Sequence, residues 1–415
     1  MKVALIGSGG REAAIAWKLA KDIPPENVFV LPGNDGIANA RKISSTDFEA
    51  IDQFLDTEKI DLTFIGPEKP LEMGIVDFLS SRKKRVLGPD KQASLLESSK
   101  CFAKRFMKKY GVASADFKEF NSSQDAYYHV SGSKNPMVIK FDGLAAGKGV
   151  FVCKNGEEAI DSIEKIEKGF GPDSGIVVEE MLYGREVSII GFTDGKTFRI
   201  IRTSQDHKRL LNNDMGPNTG GMGAYTPVPF CDSNVLAKIE KEIISPTIEG
   251  IIAEKLYYCG PLYFGVMLTA DGPKLLEYNA RMGDPESQVL MPSLKTSLIE
   301  IADACLNGTL DQIKIETYNS CFLGVVLASK GYPDRKSPEA EITGLDKIHE
   351  NDALIFHSAT KKIENRFYAH GGRILTVVGK GNTIEKAAEM AYKAAEKVSF
   401  DGVHFRRDIG SQSFS

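Results

Sequence analysis

Apolar and polar stretches alternate along the first hundred residues in a way that predicts a parallel sheet. Short uninterrupted apolar runs are typical of buried strands, and amphipathic helical patterns lie between them. The predicted strands are 3–6, 28–31, 62–65 and 85–87, and the predicted helices are 12–21, 48–58 and 71–82. This alternation favours right-handed βαβ units. Several of the strands end in Gly- or Pro-containing turns, which we expect at the carboxyl edge, where such sheets bind ligands.

The pattern changes near residue 90. A helix is predicted at 91–110, and the short strands that follow, at 137–140, 150–153 and 176–182, indicate a small subdomain. Strands at 320–329, 353–357 and 374–379 precede an amphipathic helix at 383–398 that opens on a Thr cap. A chain of 415 residues is too long for one core. We expect an N-terminal parallel α/β domain (1–100), a central domain (101–318) with a lid subdomain at about 112–188, and a C-terminal α+β domain (319–415).

Composition and charge exclude several classes of partner. The formal net charge is −4 and no half of the chain is strongly basic, so nucleic acid is not expected to bind. The six cysteines form no CxxC pair, which favours reduced thiols in the cytoplasm over a disulfide framework or a metal site. The N-terminal apolar run enters a Gly-Ser-Gly-Gly turn at once, so we interpret it as a strand and not a signal peptide. No run approaches the ~18 apolar residues of a membrane span.

The segment from Leu275 to Glu286 carries a candidate metal site. Residues 274–278 have the pattern of a strand, and side chains two apart on a strand point to the same face. Glu277 and Asn279 therefore project together, and their hard oxygen donors suit Mg²⁺, which usually takes few protein ligands and fills its shell with water and phosphate. The chain then leaves the strand through a Gly-Asp-Pro turn, with Arg281 and Asp284 close by, and Arg281 is placed to meet a carboxylate or a phosphate. A sheet edge with a surface ion pair is the alternative.

A glycine-rich turn, Gly7-Ser8-Gly9-Gly10, joins the first strand to the first helix. The third glycine of a dinucleotide-binding fingerprint would fall at Glu12, and no acidic residue ends the second strand, so that interpretation fits poorly. The N–H groups of such a turn can still hold one phosphate at the helix N-terminus. A merely tight strand–helix turn remains the alternative.

A second glycine-rich segment, Asp142–Gly149, lies between two predicted strands and contains Lys148, with Lys140 just before it. It does not match the P-loop, because three residues and not four separate its glycines and no helix follows. A glycine-rich hairpin with a lysine is typical of a flexible lid over polyphosphate.

Two charged pairs elsewhere allow more than one interpretation. Lys100 and Lys104 lie one turn apart on the predicted helix, where a solvated basic face is the simplest explanation. Glu179 and Glu180 lie where the chain leaves an apolar strand and suit an adenine and ribose site, although a solvated strand end is the simpler explanation of the pair by itself.

Taken together, these motifs resemble those of a known superfamily. Lys140, the Gly143–Gly149 lid, Glu179-Glu180 and Glu277-x-Asn279 have the order and spacing of the ATP-grasp enzymes. Segments 203–209 and 216–225, with Gly9–Glu12 and Asp142–Gly149, make the chain similar to the phosphoribosylamine–glycine ligases, also called glycinamide ribonucleotide synthetases, over essentially its whole length. The resemblance implies a central ATP-grasp domain. It also implies a ligase of purine biosynthesis that joins glycine to 5-phosphoribosylamine and converts ATP to ADP and phosphate through glycyl phosphate.

The resemblance implies roles for individual residues. ATP is expected to contact Lys100, Lys140, Gly147, Lys148 and Gly149 with its phosphates, and Glu179, Glu180 and Glu186 with its adenine and ribose. Mg²⁺ or Mn²⁺ is expected at Glu277 and Asn279, and the substrate phosphate at Gly9 and Gly10. The catalytic residues are expected to be Arg281, Asp206, Lys208 and Asp214, with His207 beside them.

The chain departs from the family pattern at a few positions. Ala13 replaces a common His and Arg185 replaces a common Glu, while the strand before Glu277 offers only Gly265-Val266-Met267-Leu268 where many ATP-grasp enzymes have a second acidic metal ligand. The number of metal ions therefore stays open. Arg373 either adds a charge to the active site or belongs to a structural turn.

Two other functions stay open: a different ATP-grasp ligase for another carboxylate and amine, and a non-catalytic nucleotide sensor. Residues 205–209 and 216–225 argue against the first, and retention of Lys140, Lys148, Glu277 and Asn279 argues against the second. Because the chain ends soon after Arg406-Arg407-Asp408-Ile409-Gly410, we expect a single-function enzyme. We also expect it to be monomeric and cytoplasmic.

Overall fold

The structure, a computed structural model, describes residues 1–145, 147, 149–335 and 338–413 of the 415-residue chain. Its N-terminal part alternates strands and helices: β1 (Val3–Gly7), α1 (Gly10–Asp22), β2 (Val28–Pro32), α2 (Phe48–Glu58), β3 (Leu62–Ile65), α3 (Glu68–Met73), α4 (Ile75–Ser81), β4 (Val86–Pro89), α5 (Leu95–Ser98) and α6 (Lys100–Tyr110). β1 pairs in parallel with β2 and β3, and β3 pairs in parallel with β4. The predicted parallel α/β arrangement is therefore confirmed.

Two helices that the pattern predicts as continuous are each divided. The helix predicted at 71–82 is interrupted at Gly74, which adopts a left-handed conformation (φ 90°) that favours glycine. The helix predicted at 91–110 is interrupted at Ser99, whose extended backbone and side-chain oxygen cap α6 by accepting a hydrogen bond from the Phe102 N–H at 3.0 Å. The second break places Lys100 at the first position of a helix.

The next segment forms a small antiparallel sheet with its own core. It contains β5 (Phe117–Phe120), α7 (Ser123–Val130), β6 (Met137–Phe141), β7 (Val150–Cys153), α8 (Gly156–Phe170) and β8 (Ile176–Glu180), with sheet order β5-β8-β6-β7. Two helices, α7 and α8, cover the apolar residues of this sheet. The β6–β7 pair confirms that the Asp142–Gly149 segment connects two adjacent antiparallel strands.

The central part adds long antiparallel strands. Its elements are β9 (Arg185–Thr193), β10 (Phe198–Asp206), β11 (Arg209–Leu211), β12 (Met215–Asn218), β13 (Gly223–Thr226), α9 (Ser233–Ile239), a π-helical turn (Glu240–Ile244), α10 (Ser245–Ala253), β14 (Tyr258–Thr269), β15 (Gly272–Asn279), α11 (Glu286–Ser293) and α12 (Leu298–Asn307). The Tyr278 side chain of β15 is buried against the rings of Phe106 and Phe264. Because strand side chains alternate, this anchor turns the neighbouring residues 277 and 279 to the opposite face.

The C-terminal part consists of β16 (Cys321–Ala328), β17 (Ala340–Ile342), β18 (Leu354–His357), β19 (Thr360–Ile363), β20 (Arg366–Ala369), β21 (Arg373–Gly381) and α13 (Ile384–Ala395). The predicted strands near 320, 353 and 374 and the helix capped by Thr383 are confirmed. The small β17-β20-β19 sheet was not predicted.

One large sheet joins the N-terminal, central and C-terminal parts. Its strand order is β18-β21-β16-β13-β10-β9-β14-β4-β3-β1-β2, and β15 pairs with β14. Loops from distant parts of the sequence therefore meet above this sheet. Within the described ranges, no helix combines the length and apolar character that a membrane crossing needs.

Candidate active site

A cavity of about 300 Å³ with many charged side chains in its lining lies where the lid loop approaches the ends of β10 and β15. Many of the predicted site residues line it together: Lys100, Gly147, Gly149, Asp206, Lys208, Glu277, Asn279 and Arg281. Lys148 lies outside the described residues. The tertiary structure thus brings cations, acids and glycine backbone into one space of a size suited to small-molecule chemistry.

Glu277 and Asn279 present two oxygen donors to this cavity. The hydrogen-bond pattern assigns the Asn279 amide nitrogen to Glu97 Oε1 at 3.2 Å and to the Tyr278 carbonyl at 3.1 Å. This orientation leaves the amide oxygen for a ligand, which fits a magnesium site built from two protein oxygens. On β14, the residue paired with Glu277 is Gly265, which has no side chain that could serve as a second acidic metal ligand. Among the described residues, no group of three or more His, Cys, Asp and Glu side chains is arranged to hold a metal ion.

The charge of Glu277 is stabilised by its surroundings. Burial alone would raise the pKa of its carboxyl, but four nearby cations together hold the pKa below its ordinary value. These cations are Lys100, Lys208, Lys140 and Arg281. The same positive field favours a polyphosphate in the cavity.

A buried cluster of two lysines and one glutamate lies behind the cavity. Glu179 Oε1 is 2.8 Å from Lys140 Nζ, and Glu179 Oε2 is 3.3 Å from Lys104 Nζ. Lys140 also donates to the Leu276 carbonyl at 2.9 Å. Lys104 and Glu179 are only 2% and 3% exposed, so the alternatives of a solvated basic face at Lys104 and of a solvated strand end at Glu179 are excluded. Burial lowers the pKa of Lys104 to about 8.

Glu179 therefore differs in setting from the other two acids predicted for adenine and ribose. Glu180 is exposed, and its Oε1 accepts a hydrogen bond from the Asp116 N–H at 3.0 Å. Glu186 Oε2 lies 3.0 Å from Lys208 Nζ. Burial alone would lower the pKa of Lys208, but neighbouring acids, led by Glu186, hold it well above its ordinary value, so Lys208 is a permanent cation.

Asp206 is the acid closest in sequence to this lysine. Its Oδ1 is buried without a hydrogen-bond partner among the described residues. Burial, with a further contribution from Glu286, raises the pKa of Asp206 well above its ordinary value. Such a carboxyl is a stronger base than an ordinary aspartate. His207 is buried with a pKa lowered by burial to about 4, and its Nε2 accepts a hydrogen bond from the Gly410 N–H at 3.2 Å.

Arg281 is held between two acids from different elements. Its Nε lies 3.1 Å from Glu68 Oε2, and its Nη2 lies 2.8 Å from Glu97 Oε1. The Arg281 guanidinium lowers the pKa of Glu68 to about 2. Burial raises the pKa of Glu97, although Arg281 opposes this effect. Arg281 thus faces the cavity with its position set by two carboxylates.

A second cavity, of about 470 Å³, lies beside the first and contains Gly9 and Gly10. The Gly9 N–H donates to Glu12 Oε2 at 2.6 Å, and Arg11 Nε donates to Glu12 Oε1 at 2.6 Å. The opposite wall comes from the C-terminal residues 358–361, 370 and 373. Asp284 and Arg373 line both cavities. Arg373 therefore belongs to the site, which resolves the alternative that the sequence left open.

Asp214 is the predicted catalytic residue that the structure does not bring to either cavity. Its carboxylate accepts hydrogen bonds from Arg406 at 2.8 Å and Gln412 at 2.7 Å. Among the described residues that line the first cavity, sequence reasoning missed Arg11, Glu68, Glu97, Tyr263 and Glu286. A signal existed for Glu68, which follows a Gly-Pro turn at the carboxyl end of a predicted strand.

The two departures from the family pattern have local explanations. Ala13 lies on the buried face of α1, is 8% exposed and packs in the core. The Arg185 guanidinium lies 3.7 Å from the centre of the Phe230 ring and donates to the Gln412 carbonyl.

Three family models match consecutive parts of the chain. They are described as the N domain (residues 1–97), the ATP-grasp (A) domain (98–287) and the C domain (322–412) of phosphoribosylglycinamide synthetase. The chain belongs to the phosphoribosylglycinamide synthetase family. This membership confirms the resemblance inferred from the motifs and places the first cavity beside the lid of an ATP-grasp domain.

Individual members of the phosphoribosylglycinamide synthetase family show the extent of the likeness. A phosphoribosylamine–glycine ligase of Halalkalibacterium halodurans is 43% identical over 100% of this chain and 98% of its own length. The human trifunctional purine biosynthetic protein adenosine-3 is 43% identical over 100% of this chain and 42% of its own length. The crystal structure of a phosphoribosylamine–glycine ligase from Thermotoga maritima has a TM-score of 0.85 and 35% identity, covering 99% of this chain and 100% of that one. The predicted fold class is thereby confirmed.

Proposed function

We propose that this protein joins glycine to 5-phosphoribosylamine, giving glycinamide ribonucleotide while ATP becomes ADP and phosphate. The observation that carries the proposal is the cavity in which Lys100, Lys208 and Arg281 surround the oxygen pair of Glu277 and Asn279. The chain matches its family over the N, ATP-grasp and C domains, so both the site and its scaffold support this chemistry.

The first step activates glycine. A carboxylate is a poor acyl donor, because the oxygen that must leave would depart as oxide. A glycine carboxylate oxygen attacks the γ-phosphorus of ATP, the bond to the bridging oxygen breaks, and ADP leaves with glycyl phosphate as the product. Phosphoryl transfer depends mainly on positioning and cations. Lys100, Lys140 and Lys148 supply those cations, and Mg²⁺ or Mn²⁺ held by Glu277 and Asn279 would neutralise phosphate charge.

The second step forms the amide. The amine nitrogen of phosphoribosylamine attacks the glycyl carbonyl carbon, the carbon–oxygen bond to phosphate breaks, and the amine loses one proton. Lys208 and Arg281 stabilise the negative charge that develops on the carbonyl oxygen. Asp206 accepts the proton, for which its raised pKa suits it.

The arrangement of the two cavities supports a position for each substrate. The cavity at Gly9 and Gly10 would hold the phosphate of phosphoribosylamine at the N-terminus of α1. Asp284 and Arg373 stand where the two cavities meet, so the amine reaches the acyl phosphate beside them. The glycine-rich lid covers the first cavity and excludes water, which would otherwise hydrolyse glycyl phosphate.

Two of the predicted residues, Glu179 and Asp214, receive modified roles in this proposal. Glu180 and Glu186 remain ligands of adenine and ribose. Glu179 acts as the counter-ion that holds Lys140, since both its oxygens face lysines. Asp214 fixes Arg406 and is not assigned to the chemistry.

An omission experiment tests the proposal. ADP, phosphate and glycinamide ribonucleotide are measured with Mg²⁺, glycine and freshly generated phosphoribosylamine, leaving out one component at a time. We expect product only with all components, and transfer of one ¹⁸O from [¹⁸O]glycine carboxylate to phosphate. ADP formation with another carboxylate or amine would indicate a different ligase, and tight ATP binding without turnover would indicate a sensor.

We further propose that the protein acts in the cytoplasm as a monomer. The described cysteines are all free thiols, as a reducing compartment favours. Light scattering should give the mass of one 45.4 kDa chain, and a larger mass would contradict the monomer.

A further inference from the structure

Glu97 is a buried acid whose contacts converge on the metal-ligand strand from far away in the sequence. It lies at the end of α5, is 4% exposed, and is separated from Ala280 by 183 positions. Its Oε2 accepts a hydrogen bond from the Ala280 N–H at 2.8 Å. Its Oε1 accepts from the Asn279 amide at 3.2 Å and lies 2.8 Å from Arg281 Nη2. One carboxylate therefore binds donors on three consecutive residues.

These contacts constrain Asn279, the residue proposed to present the second oxygen to the metal ion. The bond to the Ala280 N–H fixes the backbone where β15 ends, and the bond to the Asn279 amide nitrogen fixes the side-chain orientation. With the nitrogen committed to Glu97, the amide oxygen is the atom available to a cation. A group that holds a metal ligand in this way typically changes metal affinity 10–100-fold when it is removed.

The backbone of Glu97 makes a second connection to the site. Its carbonyl accepts a hydrogen bond from Lys100 Nζ at 3.0 Å. The same residue therefore links a lysine of the phosphate region to the strand that carries Glu277 and Asn279. The two links use different atoms, so a side-chain substitution can disturb one and leave the other in place.

We propose that Glu97 is the positioning residue of the metal site: its carboxylate orients the Asn279 amide and thereby sets the affinity for the divalent cation. The inference rests on the metal role proposed for Glu277 and Asn279. Glu97 itself is not a ligand, because its carboxylate is occupied by the donors of residues 279–281.

The chain offers a matched control in Glu68. This acid also pairs with Arg281, at 3.1 Å from Nε, but no contact to Asn279 or Ala280 is found for it among the described residues. Glu68→Gln and Glu97→Gln thus both remove a negative charge beside Arg281. Only Glu97→Gln also replaces one of the two oxygens that accept hydrogen bonds from residues 279–281 by an NH₂ group, which cannot accept them. A role limited to neutralising Arg281 predicts similar behaviour for the two variants.

The experiment measures Mn²⁺ binding directly, by electron paramagnetic resonance of free Mn²⁺ with saturating non-hydrolysable ATP analogue and full-length protein. We expect Glu97→Gln to raise the Kd for Mn²⁺ about 10–100-fold and Glu68→Gln to change it less than about threefold. The Kd of the analogue in EDTA should change less than about threefold in both, because Lys100 keeps its carbonyl partner. Equal shifts in the two variants, or no shift in Glu97→Gln, would overturn the inference.

A double-mutant cycle with Asn279→Ala separates this inference from the proposed function. In the Asn279→Ala background, Glu97→Gln should add almost nothing to the loss of Mn²⁺ affinity, since the residue it positions is absent. Full additivity would overturn the inference. If Asn279→Ala leaves Mn²⁺ binding unchanged, the proposed metal site itself fails. Should Glu97→Gln not fold, Glu97→Asp, which keeps the charge but shortens the reach, is expected to show the same selective loss, and normal Mn²⁺ affinity in it would overturn the inference.

Discussion

Arg373 offers the most informative test of how the two cavities cooperate. Its guanidinium donates to the Asp284 carbonyl at 3.0 Å and to the Gly220 carbonyl, and it lies 3.0 Å from Asp284 Oδ2. The Gly220 N–H donates in turn to the Tyr332 hydroxyl at 2.8 Å. Arg373 and Tyr332 thus hold the carbonyl and the N–H of Gly220, which belongs to the wall between the cavities. Arg373→Ala should loosen this wall and let water reach glycyl phosphate.

The size of the effect follows from the contacts that are lost. Removing one partner of a buried ion pair costs about 3–5 kcal/mol. The Arg373 and Asp284 side chains are 20% and 17% exposed, so solvent screening reduces this cost to about 2–3 kcal/mol. At about 1.4 kcal/mol per factor of ten, the fraction of molecules with an open wall should rise roughly 30- to 150-fold.

The assay is the ratio of ADP formed to glycinamide ribonucleotide formed under saturating substrates. We expect a ratio near one for the unmodified protein, clearly above one for Arg373→Ala, and an intermediate value for Arg373→Lys, which keeps the charge but not the forked geometry. Arg366→Ala is the matched control, since Arg366 is a 65% exposed arginine of the same region, paired with Glu341 at 3.3 Å. A ratio of one in Arg373→Ala, with only a raised KM for phosphoribosylamine, would refute the wall and make Arg373 a substrate ligand.

Three further substitutions test other parts of the site. Glu277→Ala should abolish ligation while the circular dichroism spectrum stays unchanged, and near-normal turnover at limiting Mg²⁺ would contradict the metal assignment. The pKa of Lys104 is lowered from 10.5 to about 8, so the folded state binds fewer protons than the unfolded state between these pH values and stability should rise by about 3 kcal/mol with pH across that window. We expect the hydrogen-exchange protection of β6 and β8 to show this rise with pH in the unmodified protein and to lack it in Lys104→Met. Parallel pH profiles for the two proteins would contradict the lowered pKa of Lys104. Gly66→Ala would force the new Cβ into Glu12 Oε1 and displace this carboxylate. We expect the KM for phosphoribosylamine to rise at least about tenfold with little change in the KM for ATP. An unchanged KM for phosphoribosylamine would show that Glu12 does not organise the cavity at Gly9 and Gly10.

Local patterns were sufficient wherever the physical cause is local. Alternating strands and helices predicted the parallel N-terminal sheet, because uninterrupted apolar runs and helical periodicity each specify one element. The period of two along β15 placed Glu277 and Asn279 on one face. The Thr383 cap and the position of the lid between two strands were likewise predicted from adjacent residues. The breaks at Gly74 and Ser99 also had local signals, a glycine and a capping serine inside the predicted helices.

The amino-acid sequence was therefore enough to predict most of the helices and strands, the motifs, and the family chemistry that the motifs indicate. Three contacts could not be predicted without the folded chain: Glu97 with Asn279 and Ala280, Lys104 with Glu179, and Arg373 with the site. The reason is that tertiary packing joins distant parts of the chain. The pairing of β4 with β14 brings Glu97 near β15, the pairing of β13 with β16 places the C-terminal strands beside the site, and α6 packs against β8. Charge compensation between such distant residues leaves no periodic trace in the sequence. It arises when the cores pack and water is removed from around the charged groups.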